Sequence, residues 1–61
     1  MTKPEAITEA IKKLDETGTT QFVQRRGNDY KVFPGNAPIP SGWGRGSEMI
    51  SRGNVHAYRP K

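Results

Sequence analysis

Phe22-Val23-Gln24-Arg25-Arg26-Gly27-Asn28-Asp29-Tyr30-Lys31-Val32-Phe33 reads as two strands closed on a two-residue turn. Gly27-Asn28 supplies the positive φ that a tight hairpin needs, with glycine in the first central position as in a type II′ turn. Folding the stretch about that turn opposes Arg26 to Asp29, Arg25 to Tyr30, Gln24 to Lys31, Val23 to Val32 and Phe22 to Phe33. Like meets like at the open end and opposite charges meet at the tip, which are the pairs that stabilise an antiparallel ladder. Alternation then puts Val23, Arg25, Tyr30 and Val32 on one face, with Phe22, Gln24, Lys31 and Phe33 on the other.

The same turn chemistry returns downstream, where Arg52-Gly53-Asn54 precedes Pro60 at the spacing that separates Arg26-Gly27-Asn28 from Pro34. A second hairpin is therefore predicted over 47–59. It opposes Arg52 to Val55, Ser51 to His56, Ile50 to Ala57, Met49 to Tyr58 and Glu48 to Arg59. Upstream, a helix is predicted over 3–17. Thr2 and Glu5 have capping-box spacing, Pro4 is tolerated in a first turn, and Gly18 is a natural stop. Ile7, Ile11 and Leu14 recur at helical spacing, and Ala6 and Ala10 widen the stripe. Between the hairpins, 34–46 holds three prolines and four glycines, which excludes a regular helix or a central strand.

These elements add up to a single α+β domain over 1–61: an N-terminal amphipathic helix packed on a small antiparallel sheet of two β-hairpins joined by a Pro/Gly-rich loop. Strands are expected near 20–25, 29–33, 47–52 and 55–59. The expected core is Ile7, Ile11, Leu14, Phe22, Val23, Val32, Phe33, Ile39, Trp43, Ile50 and Tyr58. A chain of 61 residues with 31% hydrophobic content and no cysteine buries a marginal core that no disulfide reinforces. Association with a partner or with a second copy is one way to supplement it. No run is apolar enough for a signal peptide or a membrane helix, and a cytoplasmic protein without a membrane role is expected.

Charge is distributed unevenly. Residues 1–18 sum to −1 and residues 19–61 to +5, and all five arginines fall in the second part. The candidate binding set is Arg25, Arg26, Lys31, Trp43, Arg45, Arg52 and Arg59, with Lys61 at the end of the chain. Arginine forks grip phosphates bidentately and exposed aromatics stack on bases, so a basic hairpin surface points first to DNA or RNA. Trp43 reads more readily as a core residue than as a stacking platform, because it is the one tryptophan of an aromatic-poor chain.

A protein partner is the alternative, held by an adaptor or inhibitor that uses the Pro/Gly/Trp loop and the hairpin edges. Pro34, four residues, then Ile39-Pro40-Ser41-Gly42-Trp43 resembles the Pro-x4-Val-Pro-x-Gly-Trp stretch of MbtH-like proteins, small activators of peptide-synthetase adenylation domains. Phe33-Pro34 matches the aromatic-Pro hairpin end before that stretch. This resemblance covers about ten residues and implies a protein partner. The chain departs from the family in its N-terminal helix and in lacking a second tryptophan and a C-terminal helical segment. Ala6 to Phe33 also looks like the recognition helix and wing of winged-helix DNA-binding proteins, which implies DNA. The two preceding helices of that fold have no room here, and the helix is net negative.

No catalytic constellation is legible. His56 is the only histidine and reads as a strand residue beside Ser51. Glu48 and Asp29 are each explained by a cross-strand arginine. Gly42-Trp43-Gly44-Arg45-Gly46 lacks the Lys-Ser/Thr ending of a phosphate loop. A non-enzymatic binding protein is expected, without cofactor or metal.

Overall fold

The computed structural model describes residues 1–59, with positions 45–47 described by their backbone alone. Helix α1 spans Lys3–Thr17 and precedes strands β1 (Gln21–Arg26), β2 (Asp29–Pro34) and β3 (Arg45–Ile50), with a single 3-10 turn at Val55–Ala57. The strands form one antiparallel sheet in the order β2-β1-β3, and the helix packs on one face of it. Pro60 and Lys61 lie outside the described residues. No described helix is long and apolar enough to cross a membrane.

Helix α1 starts and stops where its side chains dictate. The Thr2 hydroxyl accepts from the Glu5 N–H at 3.3 Å, and the Glu5 carboxylate accepts from the Thr2 N–H at 2.9 Å. Two otherwise orphaned donors are thereby satisfied. At the other end Gly18 takes φ 73° and donates to the Leu14 carbonyl. Ala6, Ala10, Ile11 and Leu14 form the buried stripe and meet Val23 and Ile50 of the sheet, with Ile7, Tyr30, Val32, Val55 and Tyr58 packed around them. Complete burial of a leucine or isoleucine side chain stabilises by about 1.5–3 kcal/mol, so this stripe is the main attachment of helix to sheet.

The β1–β2 hairpin has the register its sequence predicts, from Arg26↔Asp29 at the turn through Phe22↔Phe33. Gly27 has φ 61° and Asn28 does not have a positive φ, the sign pattern of a type II′ turn.

The expected second hairpin does not form. Residues 55–57 make a 3-10 turn, and β3 pairs with β1 instead, through Gln21↔Ile50, Phe22↔Met49 and Val23↔Glu48. The cause lies at Asn54. Its side-chain oxygen accepts from the Ser51 N–H at 2.8 Å, and its amide donates to the Met49 carbonyl at 2.7 Å. The Val55 N–H then donates to the Ser51 carbonyl at 2.8 Å. Asn54 thus closes a turn on itself, and Gly53 does not adopt the positive φ of a hairpin. The expected Glu48–Arg59 pair is lost with it: Glu48 meets Tyr58 and Lys3, while Arg59 meets Asp15.

β1 and β3 also slip by one residue, because Val23↔Glu48 is followed by Arg25↔Arg45. Positions 46 and 47 on β3 thus face the single step at Gln24, a β-bulge. The connection from β2 to β3 runs over 35–44 as turns and bends, slightly shorter than the 34–46 expected. Within it Trp43 is buried, whereas Ile39 is 37% exposed and is not a core residue.

Candidate nucleic-acid interface

The outer face of the sheet, opposite the helix, gathers Phe22, Gln24 and Arg26 from β1 with Asp29, Lys31 and Phe33 from β2, as strand alternation requires. Trp43 arrives from the β2–β3 connection and lies against this face. Its ring meets the Phe33 ring edge-on, with centroids 5.6 Å apart, and the Arg26 guanidinium carbon sits 4.5 Å from its centroid. The Lys31 ammonium lies 5.9 Å from the Trp43 and Phe33 centroids. Two cations therefore converge on one indole. Arg26 and Lys31 are both exposed, while Trp43 and Phe33 are only 6% and 8% exposed.

An arginine stacked on an indole keeps its planar N–H fork free at the edge, and the stack fixes where that fork lies. Among the described residues the ion pairs are Met1–Asp29, Lys3–Glu48 and Arg59–Asp15, and none uses Arg26 or Lys31. Beneath them Gln24 is buried, and its Oε1 has no hydrogen-bond partner among the described residues.

The remaining candidates sort by position. Arg25 is half-buried on the helix side of β1, opposite Tyr30, and its Nε lacks a partner among the described residues. Arg45 pairs by backbone with Arg25 at the start of β3, and its side chain lies outside the described residues, as does Lys61. Arg52 and Arg59 belong to the other end of the molecule. A Cβ placed on Gly18 would stand 2.5 Å from the Arg52 Nη2, so the guanidinium rests at the C-terminal end of α1. That end favours a cation, and the helix has no basic residue in its own last turn. Arg59 makes a two-pronged contact with Asp15, which holds that carboxyl below its ordinary range and raises the guanidinium further.

The other titratable contacts are also structural. The Tyr58 hydroxyl donates to Glu48 at 2.8 Å and the Lys3 ammonium lies 3.2 Å from the same carboxylate, and together they lower the Glu48 pKa, while the bond to the Glu48 carboxylate raises that of Tyr58. The Met1 amine lowers the Asp29 carboxyl at the hairpin tip. His56 is exposed in the 3-10 turn. A groove of about 400 Å³ opens between the C-terminal half of α1 and the open end of the sheet, lined by Lys13, Glu16, Thr19, Gln21 and Asn36 among others. Its rim carries both charges, Lys13 and Glu16. Among the described residues no three His, Cys, Asp or Glu gather as metal ligands.

Alternation along β1 already places Arg26 beside Lys31. What local pattern does not reveal is Phe33 and Trp43 beneath them, because the contact spans a long irregular connection. No family model matches the chain, and no curated protein or solved structure matches it either.

Proposed function

We propose that the protein is a non-enzymatic nucleic-acid-binding module that grips phosphates with Arg26 and Lys31 on the outer face of the β1–β2 hairpin. The observation that carries this reading is the convergence on the buried Trp43 of two exposed cations, neither of which makes an ion pair among the described residues, although Asp29 lies across the hairpin from Arg26. Arg25 lies at the same end of the sheet on its helix side. Trp43 acts in this reading as a positioning residue, and Arg52 and Arg59 hold the far end of the fold together.

Fluorescence anisotropy on generic labelled DNA and RNA at about 50 mM salt tests the proposal under conditions that favour electrostatic contacts. Each duplex phosphate neutralised contributes about −0.9 to the slope of log K against log salt. Replacing Arg26 and Lys31 together by Gln is expected to weaken binding to every sequence and to flatten that slope by about two. Arg52→Gln at the far end is the control and should leave the slope unchanged. Absence of binding at low salt overturns the proposal.

A protein partner is the second reading, favoured by an apolar strip at the open end of the same face. There Met49, 50% exposed, neighbours the half-buried Phe22 across the β1–β3 pair. Retention of a lysate protein after nuclease treatment, with loss on Met49→Glu, would support it. Strand addition is less favoured, since both sheet edges are partly engaged: Tyr30 N–H by the Met1 carbonyl, and the Met49 carbonyl by Asn54.

A further inference from the structure

We infer that the partner is a double strand, held through its phosphates, rather than a single strand held through its bases; this rests on the nucleic-acid reading above. Proteins that bind single strands without sequence preference lay successive bases on exposed aromatic rings. Every aromatic ring of this chain is otherwise engaged. Trp43 has Arg26 over its ring and Phe33 edge-on against it, and both aromatics are buried. Tyr30 and Tyr58 pack around the helix-side core, on the opposite face from Arg26, and the Tyr58 hydroxyl is held by Glu48. Phe22 is half-buried and closes on the chain at Gly35, where an added Cβ would stand 3.3 Å from its ring. No ring is left as a platform beside the cations.

A duplex does not ask for one. Its bases stay stacked on each other, and the protein needs only point charges and forks set against the two backbones. The hairpin has the shape for that. Arg26, Gly27, Asn28 and Asp29 are exposed at its tip, and a Cβ added to Gly27 would meet nothing within 4 Å. β3 pairs with β1 only as far as Arg25, so the turn at 26–29 is the part of the hairpin that extends past the third strand, and a tip of this width enters the major groove of B-DNA, about 12 Å wide, with Arg26 toward the phosphates. Arg26 and Lys31 flank the hairpin on one face. DNA and RNA duplexes share the phosphate chemistry, and their grooves differ.

The test compares labelled DNA and RNA duplexes of about two helical turns with the single strands of the same sequence. Anisotropy is read across a salt series, and Trp43 emission is followed on the same samples. Expected is binding to at least one duplex about tenfold tighter than to its single strands, a gap of about 1.4 kcal/mol. The emission of the buried Trp43 should keep its position throughout. Preferential RNA or DNA duplex binding identifies the source of the phosphates. Equal or tighter binding to single strands overturns the inference and leaves the nucleic-acid reading standing. Absence of binding to all four probes overturns both. Lys31→Gln, at an exposed strand position, should weaken duplex binding while keeping the parent circular dichroism spectrum.

Discussion

Trp43 and the two Gly-Asn pairs show how much a single side chain or a single torsion decides in a chain this small. Trp43 fills the outer face that the helix cannot reach, and in doing so it holds Arg26 in place. Gly27 and Gly53 carry the same sequence signal and have different structural roles. At Gly27 φ is 61°, and a branched residue there opposes the turn. Gly27→Val should therefore cost about 1–3 kcal/mol, the range for a residue held in a sparsely populated backbone region. Gly53 does not have a positive φ, and an added Cβ would meet only the Ser51 Oγ at 3.7 Å, an ordinary contact. Gly53→Val should fall within about 0.5 kcal/mol of the parent, as surface changes generally do. Urea titrations of both variants check the pair, and equal losses would contradict the different backbone geometry of the two glycines.

At the scale of the elements, α1 and the first hairpin were legible because each is closed by contacts within a few residues. A capping box, a stripe at helical spacing and a glycine stop define α1, and a turn dipeptide with matched cross-strand pairs defines β1–β2. The third strand was legible as a strand but not in its pairing. Arg52-Gly53-Asn54 offers a local hairpin, and what defeats it is the Asn54 side chain folding back on Ser51 and Met49. The β1–β3 partnership joins residues far apart in sequence and includes a bulge at 46 and 47, for which turn chemistry gives no signal. The site was half legible. Alternation groups Arg26 with Lys31, whereas Arg52 lies beside Gly18 and Arg59 pairs with Asp15 at the opposite end, contacts that no local pattern signals. The helix-to-sheet attachment rests heavily on Leu14, which is 3% exposed. Leu14→Ala should cost about 2–5 kcal/mol. A scaffold of this size holds about 3–5 kcal/mol in total, so the variant should be largely unfolded, with a collapsed proton NMR dispersion. A dispersed spectrum would mean that the stripe of α1 contributes far less than its burial implies.

Across the whole molecule, acidic groups tie separate segments together, and this sets the response to pH. Asp15 joins α1 to the segment after the 3-10 turn through Arg59, and Glu48 joins β3 to Lys3 and Tyr58. Asp15 and Glu48 are held below their ordinary values by these contacts, Glu5 by the Thr2 N–H and Asp29 by the Met1 amine. A carboxyl depressed in the folded state is protonated first in the unfolded chain as pH falls. The stability it contributes is therefore complete above its ordinary pKa, about 4, and is lost as pH drops through the lower folded-state value. Net charge acts in the same direction, since the chain is already at +4 at pH 7 and becomes more positive in acid. The melting temperature should accordingly be flat between about pH 5 and 7 and fall progressively below about 4. Salt weakens both causes, since the pairs are exposed and the field of the whole molecule is long-ranged, so removal of the carboxyls is what separates them. The variant Asp15→Asn with Glu48→Gln should melt lower than the parent at pH 7 and show a shallower fall in acid, since two of the groups that take up protons are gone. Thermal melts at pH 7, 4 and 3 in low and high salt measure both effects. A variant whose acid fall stays as steep as the parent's would locate the pH response in the net charge alone, and the two clips would then not be what holds the C-terminal segment to the helix and the sheet.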